Sequence, residues 1–301
     1  MESVRAIAPV RATVQRENQH GIDLKGMYLG LLLRALTGGL AAPGMPEPFY
    51  QGSQRSNDGC DVSRGAREDS CLLTWDGYQR AIESGRVLER VLDAGVGGAV
   101  VEVGVWRGGM SAYFQGILTA RVAAGQDSSS MRELWLCDSF HGLPRTNRMA
   151  SANAPRGAAC NSAGCGQRVW GGQMIVNEQK VRGNLERHRL LGPNVHFLKG
   201  YVNDSLPSWP TSRRLAVLRV DVDIYSATYD VLHYLYPLVE PGGAVLFDDW
   251  KLNYSAAAIH DYRQQYRITE PIEFLPGTVD PMAFWIKKGS QDGKKRPEKR
   301  P

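Results

Sequence analysis

A buried strand that ends in two carboxylates constrains the fold of this chain more than any other stretch. Residues 215–223 read LAVLRVDVD, which is apolar up to Val220 apart from Arg219. An apolar run without polar alternation predicts a strand buried on both faces, as in a parallel sheet. Side chains at i and i+2 of a strand point to the same face. Asp221 and Asp223 are therefore predicted to project together at the carboxyl end of the sheet, where open α/β sheets bind ligands.

A second pair of acids follows the next predicted strand. Residues 244–247 are apolar, come after Gly242 and Gly243, and end in Asp248 and Asp249. Four aspartates at the ends of two neighbouring strands would repel one another unless a positive charge lies between them. A hard divalent cation with oxygen ligands, such as Mg²⁺, fits this arrangement. Helix capping or a turn would explain any single aspartate equally well, but not the whole set.

A strand, a glycine turn and a helix occur in succession further upstream. Residues 98–105 read GAVVEVGV, then WRGG follows, and a helical pattern runs from Met110 to Ala123. Glycines in such a turn let the backbone approach a ligand, although the spacing is not that of the three-glycine dinucleotide motif. The next strand, residues 134–137, ends in Asp138, where an acid can accept both hydroxyls of a ribose. Together these features favour a nucleoside-binding half-domain.

The order of the predicted elements defines the fold class. From Ala99 onward strands and helices alternate, and residues 273–274 and 283–286 form a closing pair of strands. This alternation predicts a single doubly wound α/β sheet. A further helix begins after Asp23 as its N-cap, and its predicted apolar face consists of Leu24, Met27, Tyr28, Leu31, Leu32, Ala35 and Leu36. That face is predicted to pack on its own domain, on a second subunit or over the active site.

Charge and composition exclude several classes of protein. The formal net charge of +5 lies in residues 287–301, where seven basic and two acidic residues occur. A neutral body with a basic tail argues against a nucleic-acid partner. There is no apolar run long enough to cross a membrane and no secretory signal, so no membrane contact is expected. The five cysteines match neither a disulfide framework nor a zinc finger, which fits a reducing, cytoplasmic setting.

Five motifs, in this order and spacing, resemble the macrocin O-methyltransferase family. They are VEVGVWRGG at 101–109, LCDSFHGLP at 136–144, VHFLKGY at 195–201, LAVLRVDVDIYSATYDVL at 215–232 and LYPLVEPGGAVLFDDW at 235–250. The resemblance covers residues 70–287. It implies an enzyme that depends on S-adenosylmethionine and Mg²⁺ and methylates a hydroxyl on a sugar or phenol of a natural product. It also implies a doubly wound, mostly parallel seven-stranded methyltransferase-type sheet with a C-terminal antiparallel hairpin.

The resemblance also implies roles for individual residues. The residues that would bind the cofactor are Glu102, Gly104, Trp106, Gly108 and Ser111 beside its methionine part, Asp138 and Ser139 at the ribose, and Gly200 and Tyr201 near the adenine. Asp221, Asp248 and Asp249 would ligate the metal, and Asp223 would be the general base. The residues alone leave open which aspartate is the base, and His141 is an alternative base.

The expected organisation of the chain follows from these assignments. It comprises an irregular arm over residues 1–22, a helix and loop over 23–70, the methyltransferase domain over 71–288 and a basic, disordered tail over 289–301. We expect a homo-oligomer that acts on a small-molecule hydroxyl acceptor. The alternatives are a catechol-like phenol as acceptor, a nucleic-acid methyltransferase or binding protein, and a non-catalytic protein that keeps the fold.

Overall fold

The computed structural model describes residues 23–36, 77–127, 131–144, 153–154, 174–278 and 281–289. The predicted N-terminal arm, the predicted loop between the first helix and residue 71, and the basic tail beyond residue 289 lie outside the described residues. Among the cysteines, Cys137 is described, and it is a buried free thiol. None of the described helices combines the length and the hydrophobicity that a membrane span requires.

Helices and strands alternate along the described chain from Ala99 onward. The helices are α1 (Leu24–Leu36), α2 (Gly77–Asp93), α3 (Gly109–Ala123), α4 (Glu178–Arg187), α5 (Val202–Ser205), α6 (Tyr225–Leu235) and α7 (Asn253–Tyr266). The strands are β1 (Ala99–Val103), β2 (Leu134–Asp138), β3 (Val195–Lys199), β4 (Leu215–Val220), β5 (Val239–Phe247), β6 (Glu273–Phe274) and β7 (Ala283–Ile286). Short 3₁₀ turns follow α5 and α6, at Leu206–Ser208 and Tyr236–Leu238.

The strands form one seven-stranded sheet in the order β3-β2-β1-β4-β5-β7-β6. The first five strands in this order are parallel, and β7 is antiparallel to both β5 and β6. This arrangement confirms the predicted doubly wound sheet and its closing antiparallel hairpin. The strand order reverses between β1 and β4. In open α/β sheets the crevice at such a reversal is where ligands bind.

The central strands are buried because helices cover both faces of the sheet. Every residue of β1 and of β4 is buried. Successive side chains enter opposite layers: Val100 packs in the layer that contains α1, α2 and α3, and Val101 packs in the layer that contains α6 and α7. Burial on both faces explains why these strands are continuous apolar runs in the sequence.

The first helix begins as predicted but buries a different face. The Asp23 side chain caps α1 by accepting a hydrogen bond from the Gly26 amide at 2.8 Å, which confirms its predicted role. The buried residues are Leu29, Leu32, Leu33 and Leu36, whereas Met27, Tyr28 and Leu31 are exposed. The predicted apolar face is therefore wrong at those three positions. The homo-oligomer stays a prediction.

The helix packs this way because α3 offers a notch at a glycine. A Cβ atom on Gly116 would lie 2.3 Å from Cδ2 of Leu32, so only glycine admits this leucine without a shift. The sequence of α1 is apolar on almost every side, so its periodicity alone does not select a face. The partner surface at Gly116, 84 residues after Leu32 in the chain, makes the selection.

Candidate active site

Three neighbouring strands end at the same level and bring the key residues to one edge of the sheet. Val220 of β4 pairs with Val103 of β1 on one side and with Phe247 of β5 on the other. Backbone hydrogen bonds continue one step further, because the Asp221 amide donates to the Val103 carbonyl at 2.9 Å and the Asp248 amide donates to the Val220 carbonyl at 3.0 Å. The two acid pairs are therefore neighbours across the carboxyl edge, as predicted.

The three aspartates predicted to bind a metal are close together. Asp221, Asp248 and Asp249 can each offer one carboxylate oxygen, and these three oxygens lie within 4.8 Å of one another. All three side chains are partly buried. Carboxylate oxygens are the ligands that hard divalent cations prefer, and Mg²⁺ commonly uses only a few of them. The donor set therefore fits Mg²⁺.

Asp223 lies next to this cluster, but not for the reason that the sequence suggested. The strand was predicted to reach Asp223, whereas β4 ends at Val220 and Asp223 has a left-handed backbone with φ of 60°. This turn directs the Asp223 amide toward Asp249, and it donates to the Asp249 Oδ2 at 2.7 Å. Aspartate tolerates this conformation better than most residues. The proximity is therefore produced by a turn and not by strand alternation.

Burial and neighbouring charge raise the pKa of two of these carboxyl groups. Burial, and then the negative charge of Asp221, raise the pKa of Asp223 to about 7, and its hydrogen bond with Asp249 partly offsets the rise. Burial, and then the charge of Asp223, hold the pKa of Asp249 well above its usual value. Both groups lie in surroundings that disfavour negative charge, which a bound cation would relieve. A carboxylate with a pKa near 7 is well matched to proton transfer at neutral pH.

Two arginines supply the positive charge that the acids require, and sequence reasoning did not identify either of them. Arg219 has 1% of its side chain exposed. Its Nη1 donates to Asp221 Oδ2 and its Nη2 donates to Asp248 Oδ1, both at 2.8 Å. Arg80, on α2, contacts the other Asp248 oxygen at 2.7 Å and the Asp248 carbonyl at 3.1 Å. The sequence did contain a signal for Arg219, because it is the one charged residue of the buried strand β4. No sequence pattern pointed to Arg80.

Two residues predicted to bind the methionine part of a cofactor lie in the interior beside Arg219. Glu102 on β1 is 1% exposed and Ser111 on α3 is fully buried. One Glu102 oxygen accepts a hydrogen bond from Arg219 Nη1 at 2.8 Å, and the other accepts a hydrogen bond from the Ser111 hydroxyl. Their predicted contact with a cofactor stays a prediction. In the structure they join the glycine turn to the acidic cluster.

The glycine turn after β1 is held by Asp138. One oxygen of this carboxylate accepts hydrogen bonds from the amides of Val105 at 2.7 Å and Trp106 at 3.3 Å. The other accepts from the Phe140 amide at 2.7 Å. Trp106 has a positive φ of 47°. Asp138 therefore lies at the end of β2 and fixes the shape of the turn, and its predicted contact with a ribose stays a prediction.

The remaining predicted cofactor residues belong to the same edge. Gly108 has a positive φ of 83° where the turn enters α3. The Ser139 hydroxyl donates to the Gly142 carbonyl at 2.9 Å. The Gly200 amide donates to the Asp138 carbonyl at 2.9 Å, which brings Tyr201, at the start of α5, beside the end of β2. The alternative base, His141, is exposed in the loop after β2.

The fold and the site together define a class of protein. A seven-stranded sheet in this order, with a glycine turn after β1 and acids along its carboxyl edge, is that of a Rossmann-like methyltransferase. The model of one family, Macrocin-O-methyltransferase (TylF), matches residues 50–288. The chain belongs to this macrocin O-methyltransferase family, and it is an O-methyltransferase. The resemblance noted from its five motifs is confirmed.

Individual relatives support the same assignment. The 8-demethyl-8-(2,3-dimethoxy-alpha-L-rhamnosyl)-tetracenomycin-C 4'-O-methyltransferase of Streptomyces olivaceus is 34% identical over 265 residues, which are 87% of this chain and 93% of the relative. Mycinamicin III 3''-O-methyltransferase of Micromonospora griseorubida is 35% identical over 199 residues, 66% of this chain and 73% of the relative. The structure of the O-methyltransferase NovP matches with a TM-score of 0.67 at 27% sequence identity. The match covers 88% of this chain and 100% of that chain.

Proposed function

We propose that this enzyme transfers a methyl group from S-adenosylmethionine to a hydroxyl of a natural-product sugar or phenol, with Mg²⁺ held by Asp221, Asp248 and Asp249. The observation that carries the proposal is the convergence of three carboxylate oxygens within 4.8 Å of one another. Asp223 adjoins them through its hydrogen bond to Asp249. This arrangement offers three candidate metal ligands and one neighbouring candidate base for methylation of a hydroxyl.

The chemistry follows from the reactivity of the two substrates. The methyl carbon of a sulfonium is already electrophilic, whereas a sugar hydroxyl is a poor nucleophile until it loses its proton. A bound Mg²⁺ would lower the pKa of a hydroxyl that it holds. Asp223 accepts the proton, because burial and the negative charge of Asp221 raise its pKa above that of an ordinary carboxyl group and so increase its basicity. The glycine turn and Asp138 would hold the donor, and alignment of its methyl group with that hydroxyl would supply much of the remaining rate enhancement.

The acceptor that we favour is a sugar carried on a larger natural product. The relative from Streptomyces olivaceus is named for a rhamnosyl-tetracenomycin and the relative from Micromonospora griseorubida for mycinamicin III. A simple phenol remains the alternative acceptor. The test is turnover with radiolabelled S-adenosylmethionine on a panel of glycosylated polyketides, glycosylated aminocoumarins and catechols. Full turnover in the presence of excess chelator would discard the metal mechanism.

An aromatic pair beside the metal-binding carboxylates is the proposed support for the acceptor ring. Trp250 directly follows Asp249, and its ring meets that of Phe274 edge-on with centroids 5.5 Å apart. Phe274 pairs with Ala283, which pairs with Phe247, so the aromatic pair lies on the same edge of the sheet as the acids. Phe274 is 50% exposed. Exposed apolar surface beside a polar site is typical of ligand contact.

Replacing Phe274 with serine is expected to raise the acceptor KM about tenfold while leaving kcat within about twofold. Loss of aromatic packing removes binding that is equal in the ground state and the transition state. Steady-state kinetics on whichever acceptor of the panel is turned over measures the change. Met27→Ser is the matched control, because Met27 is also exposed, at 65%, but lies on α1. An unchanged acceptor KM would show that the acceptor does not bind at Phe274.

Replacing Asp138 with alanine is expected to weaken S-adenosylhomocysteine binding by about one to two decades and to leave Mg²⁺ binding intact. The substitution removes the acceptor for ribose hydroxyls and also releases the glycine turn from its hydrogen bonds to Asp138. Isothermal titration measures both ligands. Asp204→Ala is the control, because Asp204 is exposed and follows Tyr201 closely. If Asp138→Ala binds the nucleoside normally, the cofactor pocket lies elsewhere.

A further inference from the structure

We propose that Arg219 is a positioning residue that couples the cofactor side of the site to the metal-binding carboxylates. The inference rests on the proposed function and adds to it a physical link between the two ligands. Arg219 lies on β4, between the strand that leads into the glycine turn and the strand that leads into Asp248 and Asp249. It is therefore central to the edge where both ligands are proposed to bind.

The guanidinium of Arg219 contacts acids from three adjacent strands. Its Nη1 lies 2.8 Å from Glu102 Oε1 on β1 and 2.8 Å from Asp221 Oδ2 at the end of β4. Its Nη2 lies 2.8 Å from Asp248 Oδ1, which follows β5. A guanidinium is planar and rigid, so these contacts are geometrically dependent on one another. If Asp221 and Asp248 move, the plane tilts and the contact with Glu102 changes.

The link continues from Glu102 to the glycine turn. The second oxygen of Glu102 accepts the hydroxyl proton of Ser111, which lies in the first turn of α3. Residues 104–108, the glycine turn, connect β1 to this helix. Both ends of the turn are thus tied to one carboxylate, and that carboxylate is tied to Arg219. The chain of contacts runs from the turn to Glu102, then to Arg219, and then to Asp221 and Asp248.

Because Arg219 and Glu102 are buried, the contacts between them are rigid, and the loss of any one contact is costly. Arg219 and Glu102 are each 1% exposed, so water cannot replace a lost contact without a large cost. A cation bound by Asp221 and Asp248 would draw their negative charge toward itself and would weaken their interaction with Arg219. The guanidinium would then interact more strongly with Glu102, which would hold the glycine turn in place. Metal binding is therefore expected to favour cofactor binding.

Thermodynamic linkage makes the proposal measurable without turnover. If Mg²⁺ changes the affinity for a nucleoside by some factor, the nucleoside changes the affinity for Mg²⁺ by the same factor. In the unaltered enzyme we expect Mg²⁺ to tighten S-adenosylhomocysteine binding at least about fivefold, the lower end of typical coupling. Isothermal titration of S-adenosylhomocysteine with and without saturating Mg²⁺, and of Mg²⁺ with and without S-adenosylhomocysteine, gives both factors.

The decisive variant is Arg219→Lys. Lysine retains the positive charge, but a single ammonium cannot reproduce the planar fork between Glu102, Asp221 and Asp248. Both ligands are expected to bind still, while the coupling factor falls to within about twofold of one. The matched control is Arg213→Lys, because Arg213 pairs with Glu133 at 2.7 Å just before β4 begins, at the opposite edge of the sheet. Its coupling is expected to equal that of the unaltered enzyme.

The possible outcomes separate this inference from the proposed function. If the unaltered enzyme binds neither ligand, the proposed function fails. If it binds both without coupling, or if Arg219→Lys retains full coupling, the inference alone is overturned. Glu102→Gln provides a second break in the same link in case Arg219→Lys unfolds, as judged by circular dichroism. It keeps the shape of Glu102 while removing its charge, and it is also expected to abolish the coupling.

Discussion

Asp223→Asn is expected to lower kcat by about 10²–10⁴-fold while S-adenosylhomocysteine and Mg²⁺ still bind. Asparagine keeps the shape of aspartate, and the backbone contact with Asp249 is made by the amide at position 223, which the change retains. The variant lacks only the carboxylate that we propose accepts the proton. Because a missing base is a missing step, additional Mg²⁺ is not expected to restore turnover. Turnover against Mg²⁺ concentration, together with titration of both ligands, tests this expectation.

Asp248→Asn is the comparison that distinguishes loss of a base at Asp223 from loss of a metal ligand. Here a charged ligand of the proposed metal site is lost, so Mg²⁺ is expected to bind more weakly, and excess Mg²⁺ is expected to restore part of the activity by mass action. Asp248 also pairs with Arg80 and Arg219, so a moderate loss of stability is expected as well. The opposite pattern, with Mg²⁺ rescuing Asp223→Asn and not Asp248→Asn, would exchange the roles of the two residues.

Gly104→Ala is expected to destabilise the fold by about 2–6 kcal/mol. The residue has φ of 89°, which costs roughly 1–3 kcal/mol for an alanine. A Cβ atom here would also lie 1.5 Å from the carbonyl oxygen of Asp221, and the overlap is with backbone that cannot rotate away. Overpacking of this kind adds about 1–3 kcal/mol or more. Urea denaturation followed by circular dichroism measures the loss.

Gly183→Ala is the matched control for that experiment. Gly183 lies within α4, where an added Cβ would meet no atom within 4 Å. The change is expected to stabilise the protein by roughly 0.5–1 kcal/mol, because alanine loses less conformational freedom than glycine in a helix. If Gly104→Ala unfolds at the same urea concentration as the unaltered enzyme, the close approach of Gly104 to Asp221 is not maintained in solution.

The parallel strands and the site acids were predictable from sequence because burial leaves a local record. A strand covered on both faces must be a continuous apolar run, as residues 215–220 are. Polar residues can follow it only where the chain emerges at an edge, as Asp221 does. The exact ends were less predictable. The turn at Asp223 depends on a left-handed backbone and on a hydrogen bond with Asp249, which lies 26 residues further along.

The sequence predicted the negative charges of the site but not the arginines that balance them, because most of the acids that those arginines contact are distant from them along the chain. Four aspartates do require positive charge nearby, and a metal was the local inference. Arg219 was visible as an anomaly in its strand, but the partners that make it useful lie on other strands. Arg80 comes from a helix 168 residues before the carboxylate that it contacts. Sequence patterns report the surroundings of a residue, not the identity of its distant neighbours.

The span of these contacts has a consequence for how the enzyme is made. Glu102 and Arg219 are 117 residues apart, and β1 can pair with β4 only after both have left the ribosome. Until then Glu102 is an acid within an apolar segment that has no cation to neutralise it. Pairing between such distant segments is slow, and it leaves partly folded chains exposed to aggregation and proteolysis. Expression of this enzyme in soluble form is therefore expected to depend on Arg219, the arginine that contacts Glu102, Asp221 and Asp248.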